Sequence, residues 1–141
     1  MGPDFELVVV TPDGLLFRGQ VTGLRLPGID GHLGVLAGHA SMIAALRCGI
    51  TRVEHADGDS ELIATGDGYA DVRRDRVRLV VEFLNGGEDV DRDRAHGALR
   101  RAMTRLAERE ESLDLARAEA ALCRAVTRLE VCGCGCTLCQ R

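Results

Sequence analysis

The 141-residue chain has no Lys and no Trp, and its aromatic residues are one Tyr and three Phe. A core is affordable, since 45% of residues are apolar, but it has to be built from Val, Leu, Ile and Ala. All 18 bases are Arg, set against 22 acids, for a formal net charge of −4. That balance excludes the positive surplus by which a general nucleic-acid binder displaces counterions from phosphate. No apolar run approaches the roughly 18 residues that a membrane-spanning helix needs. The start, Met1-Gly2-Pro3-Asp4, lacks the basic stretch followed by an apolar one that marks a secretory signal. The expectation is a cytoplasmic chain whose membrane association, if it has one, runs through a partner. The six Cys are not spread as a disulfide framework would be. Cys48 and Cys123 read as isolated in apolar surroundings, while Cys132, Cys134, Cys136 and Cys139 crowd into the last ten residues.

What is present falls into two halves with different periods. Up to about residue 86 the pattern is of short strands separated by turn signals. Phe5 to Thr11 is rich in β-branched residues and ends at Pro12-Asp13-Gly14, where a fixed φ is followed by residues tolerant of positive φ. Leu15 to Phe17 and Gln20 to Leu26 read as two further strands, followed by a turn over Pro27 to Gly31. Val35-Leu36, Ile43 to Leu46, Ile50 to Glu54, Glu61 to Thr65, Tyr69 to Val72 and Val77 to Val81 complete the series, with Asp57-Gly58-Asp59 as a hairpin turn. Many short strands at near-regular spacing predict an antiparallel β sandwich or barrel.

After Asn85-Gly86-Gly87 the spacing becomes helical. Ala95, Ala98, Leu99, Ala102, Met103 and Leu106 recur at steps of three and four, and so do Leu115, Ala118, Leu122, Ala125, Val126 and Leu129. Asp91 is placed to favour the dipole of the first helix, and Ser112 or Asp114 to cap the second. Gly97 should cost about 1 kcal/mol relative to Ala. The break over Glu108 to Ser112 is short, which makes the helices antiparallel neighbours. The reading is a β-sandwich domain over 1–86, a helical hairpin over 87–131 and a Cys-rich, disordered tail over 132–141. The hairpin's apolar faces are narrow and Ala-rich, and an Ala seam stabilises less than a Leu seam. Such an arm can exchange one packing partner for another.

No catalytic residue and no metal site are assigned. His32, His39, His55 and His96 lack metal-ligand spacing. Gly28-Ile29-Asp30-Gly31 lacks the Gly-Lys-Ser/Thr ending of a phosphate loop. Asp30, His39 and Ser41 make a triad only on paper, because a triad is defined by geometry. Thiolates as dense as those of the tail can bind Zn or Cu(I), but four ligands within eight residues strain one tetrahedral site. The tail is read as an oxidation-prone terminus.

Four stretches carry a resemblance: Val10-Thr11-Pro12-Asp13-Gly14-Leu15-Leu16-Phe17; Leu26-Pro27-Gly28-Ile29-Asp30-Gly31-His32-Leu33-Gly34-Val35-Leu36 with Gly38-His39-Ala40; Gly68-Tyr69-Ala70-Asp71-Val72; and Val90-Asp91 with Arg94-Ala95. Together with Arg117-Ala118-Glu119 and Arg124-Ala125, they make residues 4 to 131 resemble the epsilon subunit of bacterial and chloroplast F-type ATP synthases. The resemblance implies a non-catalytic rotor subunit, peripheral on the cytoplasmic face of the bacterial membrane. The gamma subunit, the c-subunit ring and the alpha and beta subunits would be its partners. It implies a helical arm that lies on the sandwich or extends along gamma, impeding ATP hydrolysis when extended. No cofactor is required, but some members bind ATP on the folded arm as a regulatory ligand. The matching positions here are Val90, Asp91, Arg94, Ala95, Arg101, Arg124 and Arg128. The chain departs from the pattern at Ala37 and Ser41, where the family usually has Pro, and in the longer Gly86-Gly87 link. The competing reading is a free-standing sandwich-and-hairpin binding module of another complex.

Overall fold

The computed structural model describes residues 3–86, 90–108 and 114–132. Among these residues are ten strands and two helices. The strands are β1 (Phe5–Thr11), β2 (Gly14–Val21), β3 (Gly23–Gly28), β4 (Gly31–Leu36), β5 (Met42–Leu46), β6 (Gly49–Glu54), β7 (Ser60–Thr65), β8 (Gly68–Val72), β9 (Arg76–Val81) and β10 (Leu84–Gly86). The helices are α1 (Arg92–Glu108) and α2 (Leu115–Val131).

The strands form one continuous sheet in the order β10-β7-β6-β3-β5-β8-β9-β1-β2, with β4 paired to β3. It is a nearly closed β sandwich or barrel of the expected class. Its pairings are antiparallel except β1 with β9, which run parallel in the register Leu7 to Val77 and Val9 to Leu79. Alternation places the core. Phe5, Leu7 and Val9 of β1, Val77, Leu79 and Val81 of β9, and Ala70 and Val72 of β8 all point inward. They join Val21, Leu26, Val35, Leu46 and Val53 in one cluster. Two polar residues enter this interior as a pair, Thr51 and Thr65, whose hydroxyls hydrogen-bond at 2.9 Å and so satisfy each other.

The turns follow their residues. Gly14, Gly31 and Gly58 hold φ of 109°, 129° and 91° at the β1–β2, β3–β4 and β6–β7 connections, a region that L side chains rarely adopt. Three strand readings change. β2 runs unbroken to Val21 because Arg18 and Gly19 stay in the ladder opposite Val8 and Leu7; the chain breaks instead at Thr22, whose N–H donates to the Glu54 carbonyl. β3 continues through Pro27 to Gly28, so the predicted Pro27–Gly31 turn shrinks to Ile29-Asp30, and β4 starts at Gly31. Leu84–Gly86, inside the expected sandwich domain but given no strand, is a strand paired with β7, Asn85 standing opposite Ala64.

Both helices begin at an acidic cap. An Asp91 carboxylate oxygen accepts the Arg94 N–H at 3.1 Å, and Asp114 does the same for Arg117 at 3.1 Å. Ser112, the other candidate cap, lies outside the described residues. Ala95, Leu99, Ala125 and Leu129 form a second core between the helices, with Val90, Ala98, Leu122 and Val126 packed on it. Met103 and Leu115, expected on the apolar faces, are 43% and 48% exposed. They lie toward the far end of the hairpin, beyond the part packed against the sheet.

Cys132 is a correction to the tail. It caps α2, is buried in the hairpin core one helical step from Leu129, and its thiol donates to the Leu129 carbonyl at 3.2 Å. Cys134, Cys136 and Cys139 lie outside the described residues. Cys48 and Cys123 are not isolated either: they meet where α2 crosses the β5–β6 connection.

The sheet's tightest position is Gly68, opposite Leu46 of β5 and Val81 of β9. A Cβ there would run into the Val80 carbonyl oxygen. Gly68→Ala is therefore expected to cost about 1–3 kcal/mol through forced backbone displacement. Gly34→Ala, with nothing within 4 Å, should be near neutral. Urea denaturation of the two variants separates these outcomes.

Candidate functional site

Helical spacing sets out the site before any contact is considered. Asp91, Arg94, Ala98 and Arg101 recur at steps of three and four along α1 and its lead-in, as do Ala121, Arg124, Ala125 and Arg128 along α2, so each set shares one face. The antiparallel hairpin turns these faces toward each other. Between them lies an open cleft of about 400 Å³, lined by Asn85, Val90, Asp91, Arg94, Ala95, Ala98, Arg101, Ala121, Arg124, Ala125 and Arg128. All seven residues singled out from the sequence, Val90, Asp91, Arg94, Ala95, Arg101, Arg124 and Arg128, are on this one surface. Asn85, Ala98, Ala121 and Ala125 were missed. Ala98 and Ala125 were visible in the period and Ala121 was not, whereas Asn85 enters only because β10 pairs with β7.

Alanines form the floor, and the long side chains rise from its margins. Arg128 is the best anchored. Its Nε donates to Asn85 Oδ1 at 3.0 Å, and its guanidinium lies 4.4 Å from the centroid of the Phe83 ring. Arg101 folds back over Gly97, where an added Cβ would sit 3.3 Å from its terminal nitrogen. The glycine that weakens the helix thus makes room for an arginine of the cleft.

Charge in the cleft is unbalanced. Among the described residues, no carboxylate lies within ion-pair distance of Arg94, Arg101, Arg124 or Arg128; the ion pairs present are on the sandwich. Asp91 uses one carboxylate oxygen to cap α1. Burial, and next the neighbouring charge of Arg124, push the Arg128 guanidinium below its ordinary value, with Arg94 acting in the same sense and Cys48 against it. Four guanidiniums beside the N-terminus of α1 suit a polyanion, because each forked donor set matches phosphate oxygens. The volume falls within the roughly 300–1,000 Å³ of small-ligand sites.

Elsewhere, His39 contacts the Ala40 carbonyl through Nδ1 at 2.8 Å, and His55 faces Glu61 at 3.4 Å across the β6–β7 hairpin. Asp30 and Ser41 make no recorded contact with His39, so the residues of the paper triad are not brought together. No group of three or more potential metal ligands occurs among the described residues, and no helix among them is long and apolar enough to cross a membrane.

Two family models divide the chain as its periods do. Residues 4–84 match the beta-sandwich domain of the ATP synthase Delta/Epsilon chain, and residues 88–133 match its long alpha-helix domain. The chain belongs to the ATP synthase epsilon chain family. The ATP synthase epsilon chain of Bacillus pumilus is 40% identical over 107 residues, 76% of this chain and 81% of that one. That of Syntrophomonas wolfei is 37% identical over 109 residues, 77% and 80% of the two chains. Among solved structures, a chain of the Euglena gracilis mitochondrial ATP synthase, OSCP/F1/c-ring in rotational state 1, superposes with a TM-score of 0.77 at 25% identity, covering 92% of this chain and 82% of that one. As an epsilon chain this is a rotor subunit of ATP synthase, and the free-standing module falls away as a reading.

Arg128 ties the epsilon chain's arm to its sandwich as well as lining the cleft. Arg128→Ala removes one hydrogen bond and one cation–π contact but also relieves repulsion from Arg124 and Arg94. The expected net loss is about 1 kcal/mol, seen as faster amide hydrogen exchange in α2 with the β1 and β9 amides unchanged.

Proposed function

We propose that the chain is a non-catalytic subunit whose helical arm regulates ATP hydrolysis, and that the arginine cleft takes ATP as the ligand that favours the docked arm. The supporting observation is the cleft itself: four arginines, with no carboxylate partner among the described residues, converge on a floor of alanines. An Ala floor leaves room for a flat base or sugar, and the guanidiniums supply charge-assisted bonds to phosphate. A ligand gripping both helices binds only while the hairpin is closed, so it shifts the arm toward this state in proportion to its preference for it.

Arm movement is supported by how the two parts meet. The sandwich core and the hairpin core are separate clusters with no shared residue. The contacts between them use Arg128 with Asn85 and Phe83, and Cys123 and Thr127 with Cys48. Lifting the arm therefore leaves the sandwich core cluster closed, and the alternative partners are the gamma, alpha and beta subunits. The sandwich has its own contact edge, where exposed Ile29, Met42 and Ile43 border one groove. An apolar edge of this kind fits the gamma subunit and the c-subunit ring. The proposal includes a position on the cytoplasmic face of the bacterial membrane as part of the complex.

Millimolar ATP should raise the midpoint of thermal unfolding of the isolated chain and slow proteolysis of the arm. Arg124→Ala should weaken that effect at least about tenfold in apparent Kd, while leaving the Arg128 tether in place. Absence of any protection of the wild-type chain rejects the ATP site. The arm is tested separately by ending the chain before Val90 in the assembled ATP synthase: hydrolysis should rise, and unchanged hydrolysis rejects regulation by the arm. Failure to co-purify with a gamma subunit rejects the partner assignment.

A further inference from the structure

Cys48 and Cys123 are 75 residues apart in sequence and stand on different parts of the molecule. Cys48 occupies the short connection between β5 and β6; Cys123 projects from the α2 face that crosses β6 and β7. The Cys123 thiol donates to the Cys48 carbonyl at 3.3 Å. Thr127 Oγ1 lies 3.5 Å from Cys48 Sγ and 3.9 Å from Cys123 Sγ, so one hydroxyl serves both sulfurs. Both residues are only half-buried, which leaves them open to a small oxidant. The Cys48 N–H donates to Asp67 Oδ1 at 2.6 Å, fixing the connection on which it sits.

We propose that Cys48 and Cys123 are a site of reversible disulfide formation that fastens helix α2 to the β sandwich, with a low-molecular-weight disulfide such as oxidised glutathione as the oxidant. The chemistry of the pair suits sequential attack. The Cys123 thiol is lowered to about 6, first because the Cys48 thiol hydrogen-bonds its thiolate, with Thr127 and Arg47 helping against burial and Asp67. Cys48 is pushed up by the same sharing of a proton and by burial. Cys123 is thus the attacking thiolate. It attacks one sulfur of the small disulfide, forming a mixed disulfide and expelling one small thiolate. Cys48 passes its proton to that thiolate and attacks Cys123 Sγ. The protein disulfide closes and the second small thiolate leaves, taking a proton from water. Two protein thiols are oxidised and one small disulfide is reduced to two thiols. A disulfide needs its sulfurs at about 2.05 Å and its Cβ atoms about 3.5–4.5 Å apart, so the two thiols, now held through the Cys48 carbonyl and the Thr127 hydroxyl, must turn toward each other to join. The bond would hold the arm docked. Its consequence for hydrolysis rests on the arm regulation proposed above; the bond itself does not.

The test uses the full chain with Cys134, Cys136 and Cys139 changed to Ser, so that tail thiols cannot exchange. After incubation with oxidised glutathione and tryptic digestion without reductant, the expected product joins the peptide Cys48–Arg52 to the peptide Ala118–Arg124. It should disappear on reduction and fail to form in Cys123→Ser or Cys48→Ser. Glutathione adducts on either cysteine without the joined peptide overturn the proposal, as does joining that persists only in unfolded chain. The oxidised protein, reconstituted into ATP synthase, should then hydrolyse ATP several-fold faster than its reduced form, with Cys48→Ser indifferent to the oxidant. A joined peptide with unchanged hydrolysis leaves the disulfide site standing and removes the arm's regulatory role.

Discussion

Ala95, Ala98, Ala121 and Ala125 form the seam on which the arm depends. Small side chains let two helix backbones approach closely, and that approach decides where everything longer must go. Leu99 and Leu129 fill the space on one side of the seam. On the other side nothing bulky competes, and Arg94, Arg101, Arg124 and Arg128 rise around a hollow instead of a packed surface. A Leu at any of the four alanines would force the helix backbones apart, fill the floor and spread the guanidiniums. The same choice that makes the cleft makes the arm weakly held.

The second constraint is the separation of the two cores. The sheet buries Phe5, Leu7, Val9, Val77 and Leu79 without help from the helices, and the hairpin buries its own seam. Where α2 packs on β6 and β7, the polar contacts that join them are small: a guanidinium on a ring and an amide, and two thiols sharing a threonine hydroxyl. Contacts of this kind are worth about 1 kcal/mol each, so on the reading proposed above a nucleotide, a partner subunit or one covalent bond would be enough to move the balance between docked and released. The cleft and the thiol pair act on the same element, α2, from adjacent faces: Arg124 and Arg128 line one, Cys123 and Thr127 the other. Ligand and oxidant would favour the same arrangement by unrelated chemistry.

Much of this was legible residue by residue. Alternation of Phe5, Leu7 and Val9 needs only the strand's period of two; Pro12-Asp13-Gly14 and Asp57-Gly58-Asp59 need only turn chemistry; Asp114 needs only a helix start beside it. Even the cleft's seven residues were legible once aligned to a family pattern, because helical spacing puts them on facing sides. Met103 and Leu115 were misread because period alone cannot say how far along a helix the packing partner extends. Leu84–Gly86 was given no strand because its strand character comes from β7, not from its own residues.

The sequence by itself determined the two periods, the turns and caps between elements, and the charge excess on the helix faces, all of which rest on interactions spanning a few residues. Only the tertiary structure decided that Asn85 reaches Arg128, that Cys132 belongs to the hairpin core, and that Cys48 lies against Cys123. Those contacts join positions three to 75 residues apart, and the longer ones depend on the path of every strand between, which no local preference encodes.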